Sequence, residues 1–173
     1  MFSIEVTDNG VQSALNQLAG RVSNMQPVLQ SIGEDIQARA KARFGTSTGP
    51  DGVRWKANAR STIEAFIGKR GGFGKKGINA KGQALAISKK PLIGHSRDLA
   101  REFHVNSDAQ SVTIGNTMIY AAIQQFGGTK SKFPNLWGDI PARPFLPITQ
   151  GGDLYPEERS RILETINEYL AGK

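Results

Sequence analysis

Two histidines, His95 and His104, and a complete lack of cysteine narrow the chemistry open to this 173-residue chain. Without Cys, disulfides, thiolate catalysis and Cys-built zinc sites are excluded. The two imidazoles stand nine positions apart, which is not the i, i+4 spacing that puts a zinc pair on one helix face. His104 falls in an expected strand and reads as a partly exposed sheet residue, while His95 follows Gly94 and reads as a loop residue. Glu34 and Asp35 are neighbours on an expected helix, so they point in different directions and make a poor acid–base pair. Glu157 and Glu158 lie in the first turn of another expected helix, where the dipole alone accounts for them. No catalytic set emerges. The expectation is a non-enzymatic protein with no metal and no cofactor.

Glycine and lysine supply the second candidate chemistry. The stretch GGFGKKG invites a phosphate-loop reading, but Gly72 is followed at the right distance by Gly77 and then Ile78, with neither lysine nor hydroxyl in place. Charge is more informative. The net charge of +7 is concentrated between Gly45 and Lys90, where ten Lys or Arg face only Asp51 and Glu64, a local net of +8. A basic, Gly-rich arm here can follow a nucleic-acid backbone without sequence choice, meet an acidic protein surface, or serve only as a solvated loop. Charge leaves the three open. Lys69, Arg70, Lys75 and Lys76 are its candidate contact residues.

A third group is aromatic and proline-rich. Phe133, Leu136 and Trp137 crowd a Pro/Gly loop, which either folds back on the core or meets a neighbouring subunit. The run PARPFLP then places Pro141, Pro144 and Pro147 within seven residues. Proline fixes φ and removes backbone donors, so the chain around Arg143 and Phe145 is extended and largely unpaired. That stiffness lets Arg143 and Phe145 reach a neighbour at small entropic cost. Phe133, Trp137, Arg143 and Phe145 are the candidate subunit-interface residues. Trp55, following the Asp51–Gly52 turn, reads as an anchor of the arm or as an ordinary core residue.

The elements that must hold these residues follow from periodicity. Phe2, Ile4 and Val6 alternate as a short first strand. Thr7, Asp8 and Asn9 can cap a helix carrying Val11, Leu15, Leu18 and Val22 on one side. Pro27 suits the first turn of a second helix, with Val28, Leu29, Ile32, Ile36, Ala40 and Phe44 as its apolar stripe and Gly45 as its terminator. Residues 45–90 read as a basic flexible insert, with Gly68–Gln83 a loop lacking regular structure. Ser96 caps a helical turn through Leu99, and Phe103–Val105 and Val112–Ile114 form two strands. Tyr120–Phe126 is a short helix, and Pro156 opens a last one bearing Ile162, Leu163, Ile166, Tyr169 and Leu170. The fold class is α+β, a small antiparallel sheet packed against several helices, in one domain over residues 1–173. No apolar run approaches the ~18 residues that cross a bilayer. The N-terminus lacks a secretory pattern.

Three blocks carry a family resemblance. Tyr120–Ile148, with QFGG followed by IPARPFL, resembles the closing signature of the phage virion morphogenesis (tail completion) family. GPDGVRWKAN at Gly49–Asn58 is similar to that family's DG-x-x-W element. KPLIGHSRDLAREFHV at Lys90–Val105 resembles its Ser-x-x-Leu element before a hairpin. The blocks occur in the family's order. The resemblance implies a structural virion assembly protein acting in tail completion or head–tail joining through ring-like subunit interfaces. Its implied partners are further copies of itself and other tail or neck proteins. It implies a place in the host bacterial cytoplasm and then in the virion, with no membrane role. The alternative reading is a nucleic-acid-binding protein that uses the basic 45–90 arm. The lysine-rich central insert departs from the family pattern.

Overall fold

A computed structural model describes residues 8–172. The strand expected at Phe2–Val6 lies outside the described residues. Helix α1 (Asn9–Ser23) starts at Asp8, whose carboxylate accepts from the backbone N–H of Gly10 and Val11. Helix α2 (Gln26–Thr46) has Pro27 in its first turn, where a missing N–H costs nothing. It does not end at Gly45. Ser47 instead takes the left-handed conformation (φ 57°), and its N–H returns to Arg43 O at 2.7 Å. The reason lies downstream: Trp55 N–H donates to Ser47 O, and Gly49 N–H to Val53 O, so a tight turn pulls the chain back at this point.

The 45–90 segment differs from the expectation. It carries helix α3 (Arg60–Gly68), a two-residue hairpin of β1 (Phe73–Gly74) and β2 (Gly77–Ile78), and helix α4 (Ala80–Ser88). Asn79 caps α4 through Gly82 N–H at 2.8 Å. Its glycines permit close packing rather than looseness. A Cβ on Gly72 would lie 2.5 Å from Ile67 Cγ2 and 2.7 Å from Gly82 Cα, so only glycine lets these backbones meet over buried Ile67.

Beyond it come α5 (Asp98–Arg101), β3 (Phe103–Ser107), β4 (Val112–Asn116), α6 (Ala121–Phe126) and α7 (Pro156–Ala171). Arg97, not Ser96, occupies the N-cap of α5, and the Ser96 hydroxyl bonds the Asp98 carboxylate. Strands β3 and β4 pair antiparallel with Val105 opposite Ile114. The α+β class is therefore as expected, with two small antiparallel hairpins among the helices of the described residues.

Helix α2 is the spine. One face packs Val28, Ile32 and Ile36 against Ile114 of β4 and Ile162, Ile166 and Tyr169 of α7. Its C-terminal turn enters a second cluster of Phe44, Trp55, Leu99, Ala121 and Phe145. Phe44 stands 5.4 Å centroid to centroid from both Trp55 and Phe145, and Phe145 meets Phe103 edge-on at 5.8 Å. Trp55 and Phe103, from the two N-proximal blocks, thus share one cluster with Phe145 of the proline-rich segment.

Candidate subunit interface and basic groove

The proline-rich segment is an internal strut. Residues 143, 145 and 147 are buried while 142, 144 and 146 are more exposed, the period-two alternation of an extended chain. Arg143 and Phe145, expected at a subunit interface, are only 7% and 1% exposed and are committed to contacts within the chain. Arg143 Nε donates to Lys56 O at 2.8 Å and its Nη2 to Ala57 O at 3.0 Å, tying the strut to the DG-x-x-W block. Burial holds this guanidinium below its ordinary pKa. Trp55 Nε1 donates to Pro144 O at 2.9 Å from the same block. The prolines explain the inward turn. They leave few donors on the segment, and Arg143 N–H finds Gln124 O while Phe145 N–H and Leu146 N–H find the Gln125 side chain.

Glu158 also escapes the dipole account given to it from sequence. It is buried, and its two carboxylate oxygens accept from Arg43 and Arg39, while Arg43 reaches Phe145 O at 2.8 Å. Nothing in the sequence pattern pairs residues 115 positions apart, so this contact had no local signal. Glu34 and Asp35 are exposed, Glu34 accepting from Gln30 and Asp35 pairing with Arg39. His95 and His104 are exposed and separate. Among the described residues no group of three or more His, Asp or Glu gathers to hold a metal.

Phe133 and Trp137 remain on the surface, Trp137 at 75% exposure. Their loop is closed at its base by the Gly128–Ile140 bridge, and Lys130 N–H donates to the Asp139 carboxylate at 2.8 Å. Trp137 overlooks a groove of about 440 Å³ floored by Leu92, Ile93, Ile140 and Pro141 and bordered by Lys56 and Tyr120. A second hollow of about 500 Å³ shares Thr62, Lys89 and Gly94 with it and adds Phe66, Lys69 and Arg70. The pair makes one channel beside α3. Arg70 lies 3.9 Å over the Phe66 ring and Lys89 5.2 Å from it. Burial, and secondarily the Arg70 charge, push the Lys89 ammonium below its ordinary pKa. Lys75 and Lys76 sit apart from this channel, exposed at the β1–β2 turn.

Apolar surface is unusually open elsewhere. Val11, Leu15, Leu18 and Val22, the predicted stripe of α1, are all between 42% and 57% exposed. Helix α1 touches α7, where Arg21 Nη1 donates to Leu170 O at 2.8 Å, yet among the described residues the stripe itself stays exposed. No helix among the described residues is long and apolar enough to cross a membrane.

A model described as the phage virion morphogenesis family matches residues 6–171. "Mu-like prophage FluMu G protein 2" of Haemophilus influenzae is 24% identical over 171 residues, covering 98% of this chain and 96% of that protein. "Putative capsid assembly protein G" of Escherichia phage Mu is 33% identical over 73 residues, 41% of this chain and 46% of that protein. No solved structure matches the chain. With a match spanning both ends of the described fold, the chain belongs to the phage virion morphogenesis family.

Proposed function

We propose that this protein is a structural, non-catalytic part of virion assembly that acts in tail completion or head–tail joining as a ring of like subunits. The observation that carries this reading is the open apolar surface: the α1 stripe together with Phe133, Trp137 and the fully exposed Ile119. Soluble chains rarely leave an apolar helix stripe such as that of α1 uncovered, and a subunit contact removes it from water at roughly 25 cal/mol per Å². The chain then works in the bacterial host and finally in the particle, with copies of itself and other tail or neck proteins as partners. Light scattering over a concentration series at low and high salt tests it. A discrete, ring-sized mass supports the reading, and a monomer throughout overturns the ring.

The alternative reading, nucleic-acid binding, is favoured by one observation. Lys69, Lys75 and Lys76 are exposed and make no ion pair among the described residues. It requires affinity for duplex DNA that falls steeply with salt. Titration of a labelled duplex at two salt concentrations decides it.

A further inference from the structure

We propose that the channel beside α3 receives the exposed turn Thr149–Tyr155 of a neighbouring copy, which presents Asp153 beside Leu154, making a head-to-tail contact. This inference rests on the reading of the protein as a ring-forming subunit.

The channel has an apolar floor and a cationic border. Lys56, Lys69, Arg70 and Lys89 line it, and the facing carboxylate, Asp139, is engaged by Lys130 N–H. Arg70 and Lys89 share the Phe66 ring and have no carboxylate partner among the described residues. An anion brought here neutralises charge that is already partly desolvated. The floor of Leu92, Ile93, Ile140 and Pro141 calls for an apolar side chain next to that anion. A polypeptide carrying both fits better than a nucleic acid, because Arg70 already covers the Phe66 ring and closes it to a stacking base.

The chain itself presents such a segment. Asp153, Leu154 and Glu157 are all exposed, Leu154 at 41%. The turn is rigid before contact. Thr149 N–H donates to Asp153 O at 2.8 Å, Asp153 N–H to Thr149 Oγ1 at 3.2 Å, and Tyr155 N–H to Pro147 O at 3.1 Å. Pre-organisation of this kind lowers the ordering cost of association. Because knob and channel are different surfaces of one chain, each copy offers both, a head-to-tail arrangement that gives a ring where the rotation between copies closes.

The test uses the full chain in sedimentation velocity over a concentration series, with melting curves to confirm folding. Lys56→Glu with Lys69→Glu reverses the border, Asp153→Lys reverses the knob, and all of these positions are exposed. Each reversal is expected to weaken self-association about tenfold or more, and the combined variant to recover most of that loss. Leu154→Ser should weaken it without changing the salt dependence. Reversals that leave association unchanged, or a combined variant that recovers nothing, overturn the channel contact while ring formation stands. A wild-type chain that stays monomeric overturns both. If the lysine reversals abolish binding of a duplex oligonucleotide but not self-association, the channel is a nucleic-acid site and the proposal fails.

Discussion

The side-chain amide of Gln125 grips Leu146 from both sides, its Oε1 accepting Leu146 N–H at 2.9 Å and its Nε2 donating to Leu146 O at 3.0 Å. The same amide also accepts Phe145 N–H at 2.9 Å and donates to Ile148 O at 3.1 Å. One buried side chain on α6 therefore does what an adjacent strand does elsewhere. The prolines leave this segment too few donors to join a sheet.

Replacing Gln125 by Leu keeps the volume and removes all four bonds. The buried Phe145 N–H and the part-buried Leu146 N–H lose their acceptor, a buried unpaired group costing on the order of 1–3 kcal/mol, so the variant should lose roughly 1–4 kcal/mol in urea denaturation. A loss under about 0.5 kcal/mol would show that water replaces the amide.

Arg143 is expected to matter to the folded chain itself rather than to association. Arg143→Lys keeps the charge but loses the planar fork whose Nε and Nη2 reach Lys56 O and Ala57 O. The variant should be destabilised by about 1–3 kcal/mol at concentrations where only monomer is present. An unchanged melting midpoint with weakened self-association would return Arg143 to the interface.

At Gly33, α2 crosses β3 and β4 so closely that a Cβ would meet Val105 Cγ1 at 2.5 Å and Val112 Cγ2 at 2.7 Å. Gly33→Ala gains up to ~1 kcal/mol of helix propensity. Overpacking costs about 1–3 kcal/mol and should win, lowering the midpoint of thermal unfolding. Stabilisation instead would mean the hairpin can shift away from the helix.

Glu158→Ala strands Arg43 in a buried site, and its guanidinium retains only the Phe145 carbonyl. The expected loss is about 3–5 kcal/mol, measured by chemical denaturation. Arg43→Met in the Glu158→Ala background should recover part of it, because the unpaired charge is then gone.

Asp108 supplies a pH signature. The N–H groups of Gln110 and Ser111, then the Ser111 hydroxyl, hold its carboxyl below the ordinary aspartate value. Since the folded pKa is depressed, the stabilisation is present above the unfolded value and fades as pH falls through the folded one. In an NMR titration, the Gln110 and Ser111 amides should keep their shifts through pH ~4 and move only below it. Movement centred at the ordinary value would remove the turn's role.

Local pattern made most elements legible. The stripe Val28, Ile32, Ile36, Ala40, Phe44 is buried as its spacing requires, and Phe103–Val105 and Val112–Ile114 pair as a hairpin. Pattern failed where the deciding contact was long-range. The glycines of residues 68–83 read as loop signals, yet Gly72 and Gly82 are there so that two backbones can touch. Loop context left Phe133 and Trp137 free to fold back or face out, and they are exposed, whereas Arg143 and Phe145 are not.

The sequence by itself determined the α+β class, the order of the helices outside residues 45–90, and the concentration of positive charge within that segment. These are properties of periodicity, composition and spacing, which need no knowledge of what lies opposite. The tertiary structure alone decided which way the side chains of the proline segment face and how residues 45–90 pack. It turned the proline segment inward because its few remaining donors had to find Gln124 and Gln125, and it left the α1 stripe open because the described fold brings no second apolar face to cover it.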